Sequence, residues 1–259
     1  MNSFTSPDFS SFITYIVFAV IIAASFAVCF LAYKILNTVP AKWLCDYDEE
    51  PDETVLGIRF NYKQSGIITS ALFAVLNSAC FALCGFSFYT LFIFLIMFVL
   101  LLVTLSDGKF TIIPDQFTIA LAVLSLGFGI YDLCNGQYFI SQWWHIPLGA
   151  VCGGGFLMVI NLLSLLIFKK LGIGFGDVKL MCALGACLGF PKVFLAMIAA
   201  VLIAFVYIIF TVLKKIFTKK ETEAYFAFGP YLAIGSALFL IFVNQIDMGI
   251  ELYLSMLGL

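Results

Sequence analysis

Charge is what this sequence has least of. Only 11% of its 259 residues are Asp, Glu, Lys or Arg, against 63% hydrophobic and 17% aromatic, and the mean hydropathy is +1.12. A water-soluble fold carries about a quarter of its residues as charges, so the solvent for most of this chain is lipid. The net charge is −2, and no basic patch interleaved with exposed aromatics occurs, which excludes nucleic acid as a partner. The two-residue alternation of a membrane barrel is missing too. Backbone groups in lipid must then be satisfied within their own segments, so the spans are helices. Repeats at solenoid periods and low-complexity tracts are also absent, and the chain reads as one membrane domain.

Metal-ligand spacing is equally scarce. The single histidine, His145, follows Trp143 and Trp144 and reads as part of an interfacial aromatic belt. None of the eight cysteines forms a CxxC pair. Cys29, Cys80, Cys84, Cys134, Cys152, Cys182 and Cys187 lie in or beside apolar runs and read as small core residues. Cys80 and Cys84, one helical turn apart, could bind a metal in principle, but no His or carboxylate lies near them in sequence. Cys45 sits in a charged loop, and one thiol cannot make a structural zinc site.

What is present is a series of apolar runs long enough to cross about 30 Å of hydrocarbon as helix. They fall near 11–36, 67–85, 87–106, 116–134, 146–168, 178–191, 193–213 and 227–244, the sixth being short. The expected fold is an all-α integral membrane bundle of about eight transmembrane helices. Basic residues cluster in alternate connections: Lys34, Lys42, Arg59 and Lys63; Lys109; Lys169, Lys170 and Lys179; Lys214, Lys215, Lys219 and Lys220. Twelve of the thirteen thereby fall on one side, which the positive-inside rule assigns to the cytoplasm, with Lys192 the exception. Both termini are then outside, and the tail 245–259, with Asp247 and Glu251 and no basic residue, fits. Residues 1–10 carry no basic residue while Lys34 and Lys42 follow the first apolar run, the pattern of a retained span rather than a cleaved signal.

Against this background two aspartates stand out: Asp107 in Ser106-Asp107-Gly108-Lys109-Phe110, and Asp177 in Gly174-Phe175-Gly176-Asp177-Val178-Lys179. A carboxylate near membrane depth costs about 3 kcal/mol or more, so something must offset it. The topology brings both to one membrane face, Asp107 where the third span ends and Asp177 where the sixth begins. Two close carboxyls share a proton and titrate in two steps. The ionised member can then activate water while the protonated one polarises a peptide carbonyl. Gly172, Gly174 and Gly176 allow unusual backbone and close approach before Asp177. The plain alternative is that Asp177 is only a helix N-cap at the head of a helix 178–190. Asp115, after Pro114, reads as a cap of the fourth span. Lys109 and Lys179 each lie two residues past a key aspartate. They read either as neighbours that tune a carboxylate or contact substrate, or as interfacial lysines.

These residues resemble the prepilin peptidase family, membrane aspartic proteases of the GxGD type. Three segments carry the resemblance: Asp107 with Pro114 seven residues on and then Asp115; the Gly174–Lys179 motif; and Phe226-Ala227-Phe228-Gly229-Pro230-Tyr231-Leu232-Ala233 opening the last span. The resemblance implies an enzyme that cuts the short basic leader from type IV prepilins or type II secretion pseudopilins at the cytoplasmic face of the bacterial inner membrane. It implies Asp107 and Asp177 as the catalytic pair, with Gly174, Gly176, Lys179 and Pro114 supporting the motifs and Gly229 and Pro230 shaping the last span near the site. Residues 67–259 would be the polytopic peptidase domain, with 1–66 its first helix and loop.

That first loop departs from the family's longer form, in which paired CxxC motifs bind zinc in members that also methylate the new N-terminus with S-adenosylmethionine. Here it has a single cysteine, Cys45, which counts against zinc and puts methyl transfer in question; proteolysis itself requires no cofactor. The loop is acidic instead, with Asp46, Asp48, Glu49, Glu50, Asp52 and Glu53 within eight positions, a charge that would attract a basic leader. Competing readings are a presenilin-like intramembrane protease, an ion-coupled transporter using the same aspartates, and a structural pilus-assembly platform. The first expects a Pro-Ala-Leu motif where Phe228-Gly229-Pro230-Tyr231 stands. The second expects inverted repeats and mid-span charges.

Overall fold

The computed structural model describes residues 12–45, 56, 57, 59–170, 172–218 and 227–257. Among the described residues lie eight α-helices and no strand: α1 (Phe12–Thr38), α2 (Ile67–Cys84), α3 (Phe88–Phe110), α4 (Asp115–Asn135), α5 (His145–Phe168), α6 (Phe175–Leu188), α7 (Lys192–Thr218) and α8 (Gly229–Leu257). Seven of them are long and apolar enough to cross a membrane. The exception is α6, the element expected to be short. At about 1.5 Å per residue its 14 residues cover about 21 Å, less than the hydrocarbon thickness. The chain is an all-helical, multi-pass membrane protein.

The short helix is the centre of the bundle. Ten of its residues are buried, and it packs on α4, α5, α7 and α8. Without a hydrophobic driving force between helices in lipid, close packing depends on small side chains, and α6 meets α5 through facing glycines. A Cβ on Gly149 would lie 2.3 Å from the Gly185 carbonyl oxygen, and one on Gly185 would lie 2.2 Å from that of Gly149. Gly153 faces the Met181 carbonyl in the same way, at 2.5 Å. Any larger residue at these three positions would push the two helices apart.

The helices alternate between two faces. At the face opposite Asp107, the fully buried carboxylate of Asp132 ends α4 and accepts hydrogen bonds from the backbone N–H groups of Tyr138, Phe139 and Ile140. His145 begins α5 at this face with its ring edge-on to Trp144. Lys192, the exception to the charge rule, begins α7 there and pairs with Asp247 of α8 at 2.5 Å. Its charge is thus compensated by the acidic residue expected in the C-terminal tail. That tail is itself helix: α8 bends at Phe242 (φ −105°, ψ 19°) and runs on to Leu257, so the boundary expected at residue 244 is corrected. The cysteine reading also needs correction. Cys29, Cys80, Cys84 and Cys187 are buried, but Cys134 and Cys182 are exposed, because they face outward from α4 and α6.

Candidate active site

Asp107 lies in the last turn of α3, only 5% exposed. The helix ends at Thr111, whose left-handed backbone (φ 55°) turns its N–H onto the Asp107 carbonyl. The chain then passes through Ile113 and Pro114, both buried, into α4. Pro114 is the N-cap residue of α4, with its carbonyl accepting from the N–H groups of Phe117 and Thr118. Its fixed φ of −60° suits that entry.

Asp177 is 7% exposed and sits in the first turn of α6, three residues after the N-cap, Gly174. The N-cap reading of Asp177 is therefore corrected: the helix begins at Phe175, and the aspartate is carried inside it. The Gly-rich turn ahead of it is pinned by Asn161 of α5, which donates to the Ile173 carbonyl and accepts from the Ile173 N–H, both at 2.8 Å. Ser164 donates to the Lys170 carbonyl just upstream. Nothing in the sequence reading singled out Asn161; a polar side chain inside an apolar helix was the available signal.

The two aspartates are brought together by the start of α8 and by Ile113. The Gly229 N–H donates to Asp107 Oδ2 at 3.0 Å. A Cβ on Gly229 would lie 2.6 Å from that oxygen and 3.1 Å from Ile113 Cδ1, while one on Gly176 would lie 3.0 Å from Ile113 Cβ. Ile113 is thus wedged between the turns that carry the third motif and Asp177. Pro230 packs toward Gly108, beside Asp107. The glycines at 176 and 229 serve close approach here.

The electrostatics follow from this burial. Loss of solvent pushes the Asp177 carboxyl up to about 7, and the neighbouring charge of Asp107 adds to the shift, opposed by the Gly174 backbone. Asp177 Oδ1 is buried and has no hydrogen-bond partner among the described residues. Asp107 is thus held by a backbone amide, while Asp177 keeps an open oxygen and a raised pKa.

The remaining expected residues fall differently. Lys179 pairs with Asp115 at 2.7 Å and lies 5.1 Å from the centre of the Phe175 ring. Asp115 is the first helical residue of α4 rather than its cap, and its carboxylate ties α4 to α6. Lys109 lies over the rings of Phe60 and Phe110. Asp46, Asp48, Glu49, Glu50, Asp52, Glu53 and Phe226 lie outside the described residues. No cluster of three or more His, Cys, Asp or Glu placed to hold a metal ion occurs among the described residues.

Residues 93–209 match the type IV leader peptidase family. That segment contains both aspartates. The prepilin leader peptidase/N-methyltransferase of Escherichia coli K12 is 32% identical over 146 residues, 56% of this chain and 60% of that protein. The protein of the same name from Neisseria gonorrhoeae is 30% identical over 182 residues, 70% of this chain and 57% of that protein. Leader peptidase HopD of E. coli is 37% identical over 95 residues, 36% of this chain and 57% of that protein. The chain thus spans less than two thirds of each of these relatives. No solved structure matches it.

Proposed function

We propose that this protein is a membrane aspartic endopeptidase that removes the basic leader from type IV prepilins or type II secretion pseudopilins. The observation that carries the reading is the convergence of Asp107 and Asp177, 70 residues apart in sequence, at one end of the bundle. Both are buried, and the charge of one acts on the other. The family match and the relatives named as leader peptidases support it. The ionised carboxyl takes a proton from water as that water attacks the scissile carbonyl, and the protonated carboxyl donates to the carbonyl oxygen. The first carboxyl then passes its proton to the leaving amine, and as the C–N bond breaks the hydroxyl of the tetrahedral intermediate returns a proton to the second, which restores the pair to its starting state.

In this reading the Asp107 end of the bundle faces the cytoplasm of a bacterial inner membrane and both termini lie outside, following the lysine distribution. Residues 67–259 carry the chemistry, and the acidic loop of 1–66 draws in the leader. The N-methyl transfer printed in several relatives' names stays outside the proposal, since loop 37–66 holds the single thiol of Cys45 and no cysteine pair. Zinc and S-adenosylmethionine therefore have no assigned role. An ion-coupled carrier would use the same two carboxyls but would give no reason for them to share a proton beside Gly229.

Membranes containing the protein, mixed with a prepilin, test the proposal. Asp107→Asn and Asp177→Asn should each lower processing about 10³-fold or more while leaving insertion intact. Processing by either variant at the wild-type rate would end it.

A further inference from the structure

The last turn of α3 is gripped from two sides. On one, Asp107 accepts the Gly229 N–H at 3.0 Å and Gly108 faces Pro230, both partners coming from the start of α8. Residues two apart on an α-helix point about 200° away from each other, so Lys109 and Phe110 face the opposite side. There they meet Phe60. Its ring stands edge-on to that of Phe110 with centres 5.6 Å apart, and the Lys109 ammonium lies 5.0 Å and 5.3 Å from the centres of the two rings.

Phe60 is itself held by polar groups that the peptidase chemistry does not use. Asn37, near the end of α1, donates to the Phe60 carbonyl and accepts from the Phe60 N–H, both at 2.9 Å. Beside it Arg59, a buried cation, donates to the Leu36 and Val39 carbonyls at the C-terminal end of α1. A helix end leaves such carbonyls without helical partners and negatively polarised, which offsets the desolvation of the guanidinium. The Phe60 ring also stands edge-on to Tyr33 of α1, at 6.0 Å. The end of α1 thus presents one buried ring, fixed through its own backbone, to the end of α3.

Resting on the proposed peptidase function, we infer that Phe60 is a positioning residue for the reaction: it backs the last turn of α3 so that Asp107 stays against the Gly229 N–H. The two grips oppose each other across the helix, so removing one lets the turn move away from the other. A bond of 3.0 Å ceases to be a hydrogen bond beyond about 3.5 Å, and a drift of roughly half an ångström by the unbacked turn undoes it. Phe60 lies upstream of residue 67, in the stretch set apart from the peptidase domain by sequence, so the first helix and the end of its loop belong to the framework of the site.

The test uses the full chain in phosphatidylethanolamine–phosphatidylglycerol vesicles with a prepilin, cleavage being resolved into kcat and KM. Phe60→Ala should lower kcat about tenfold or more and leave KM within about twofold. A thermal midpoint in detergent checks that the variant is folded; where it is not, Phe60→Leu, closer in volume, takes its place. The deciding readout is a double-mutant cycle with Gly229→Ala. Both changes release Asp107 from the same amide, so the double variant should be no more than about twofold slower than Gly229→Ala alone. If the wild type cuts but the folded Phe60 variant keeps its kcat, or if the two losses multiply, Phe60 serves only to pack α1 and the inference is overturned while the function stands. If the wild type cuts no prepilin, both fall.

Discussion

Replacing Gly229 by alanine is the smallest change that should disable the site without removing a carboxyl. The new Cβ would lie 2.6 Å from Asp107 Oδ2, where an ordinary C···O contact is about 3.3 Å. The carboxylate must therefore retreat by about 0.7 Å or swing away. The Gly229 N–H sits beside that carbon, so its 3.0 Å bond to the same oxygen stretches to about 3.5 Å or more and ceases to be a hydrogen bond. Ile113, at 3.1 Å from the same Cβ, closes the other direction of escape. A hydrogen bond to a charged group contributes about 1.5–3 kcal/mol. If that bond is needed in the transition state, its loss lowers the rate roughly 10- to 150-fold. The assay is prepilin cleavage in vesicles, resolved into kcat and KM, with Gly249→Ala as the open-space control. The fall should appear in kcat. Cleavage by Gly229→Ala within twofold of wild type would refute the claim that the third motif acts by holding Asp107.

Three further outcomes are expected. Asn161→Leu leaves both backbone groups of Ile173 unpaired and should cost about 2–4 kcal/mol, seen as a lower thermal midpoint in detergent together with slower cleavage; an unchanged kcat would show that the turn holds itself. Asp177 keeps its proton to about pH 7 in the fold but only to about 4 when unfolded. The folded chain therefore binds more protons at this group between these values, and the contribution of Asp177 to stability is greatest below pH 4 and is lost as pH rises toward 7. Cleavage should likewise decline above about pH 7, roughly tenfold per unit once the shared proton is lost; a flat profile from 6 to 9 would contradict the pair. Leaders with added lysines should be cut faster at low salt and lose that advantage at high salt, and a flat response would remove the acidic loop from the account.

Most of the scaffold was legible because lipid imposes a simple rule: a span must be apolar for about 20 residues. The fourth and fifth spans were placed within a residue or two on that basis. The short sixth helix was visible as a short run, but its central position was not, since that follows from Gly149, Gly153 and Gly185 meeting backbone across an interface. The aspartates were legible as costly charges at the ends of apolar runs. Their supports were not. Ile113 looks like any apolar residue, and its role between Gly176 and Gly229 exists only in three dimensions. Asp115 and Lys179 looked like a cap and a tuning lysine because sequence spacing of 64 residues hides their pairing. Asp132 went unread for a similar reason: three N–H groups that arrive after the helix ends are what make its burial affordable.

The central claim is that Asp107 and Asp177 act as one titrating pair. Infrared difference spectroscopy on the protein with 13C-labelled aspartate reads it directly, through the carboxyl stretch as pH is varied. The account predicts a buried carboxyl that deprotonates near pH 7 and whose midpoint drops in Asp107→Asn, because the neighbouring charge has gone. No titration near 7, or a midpoint that Asp107→Asn leaves in place, would contradict it.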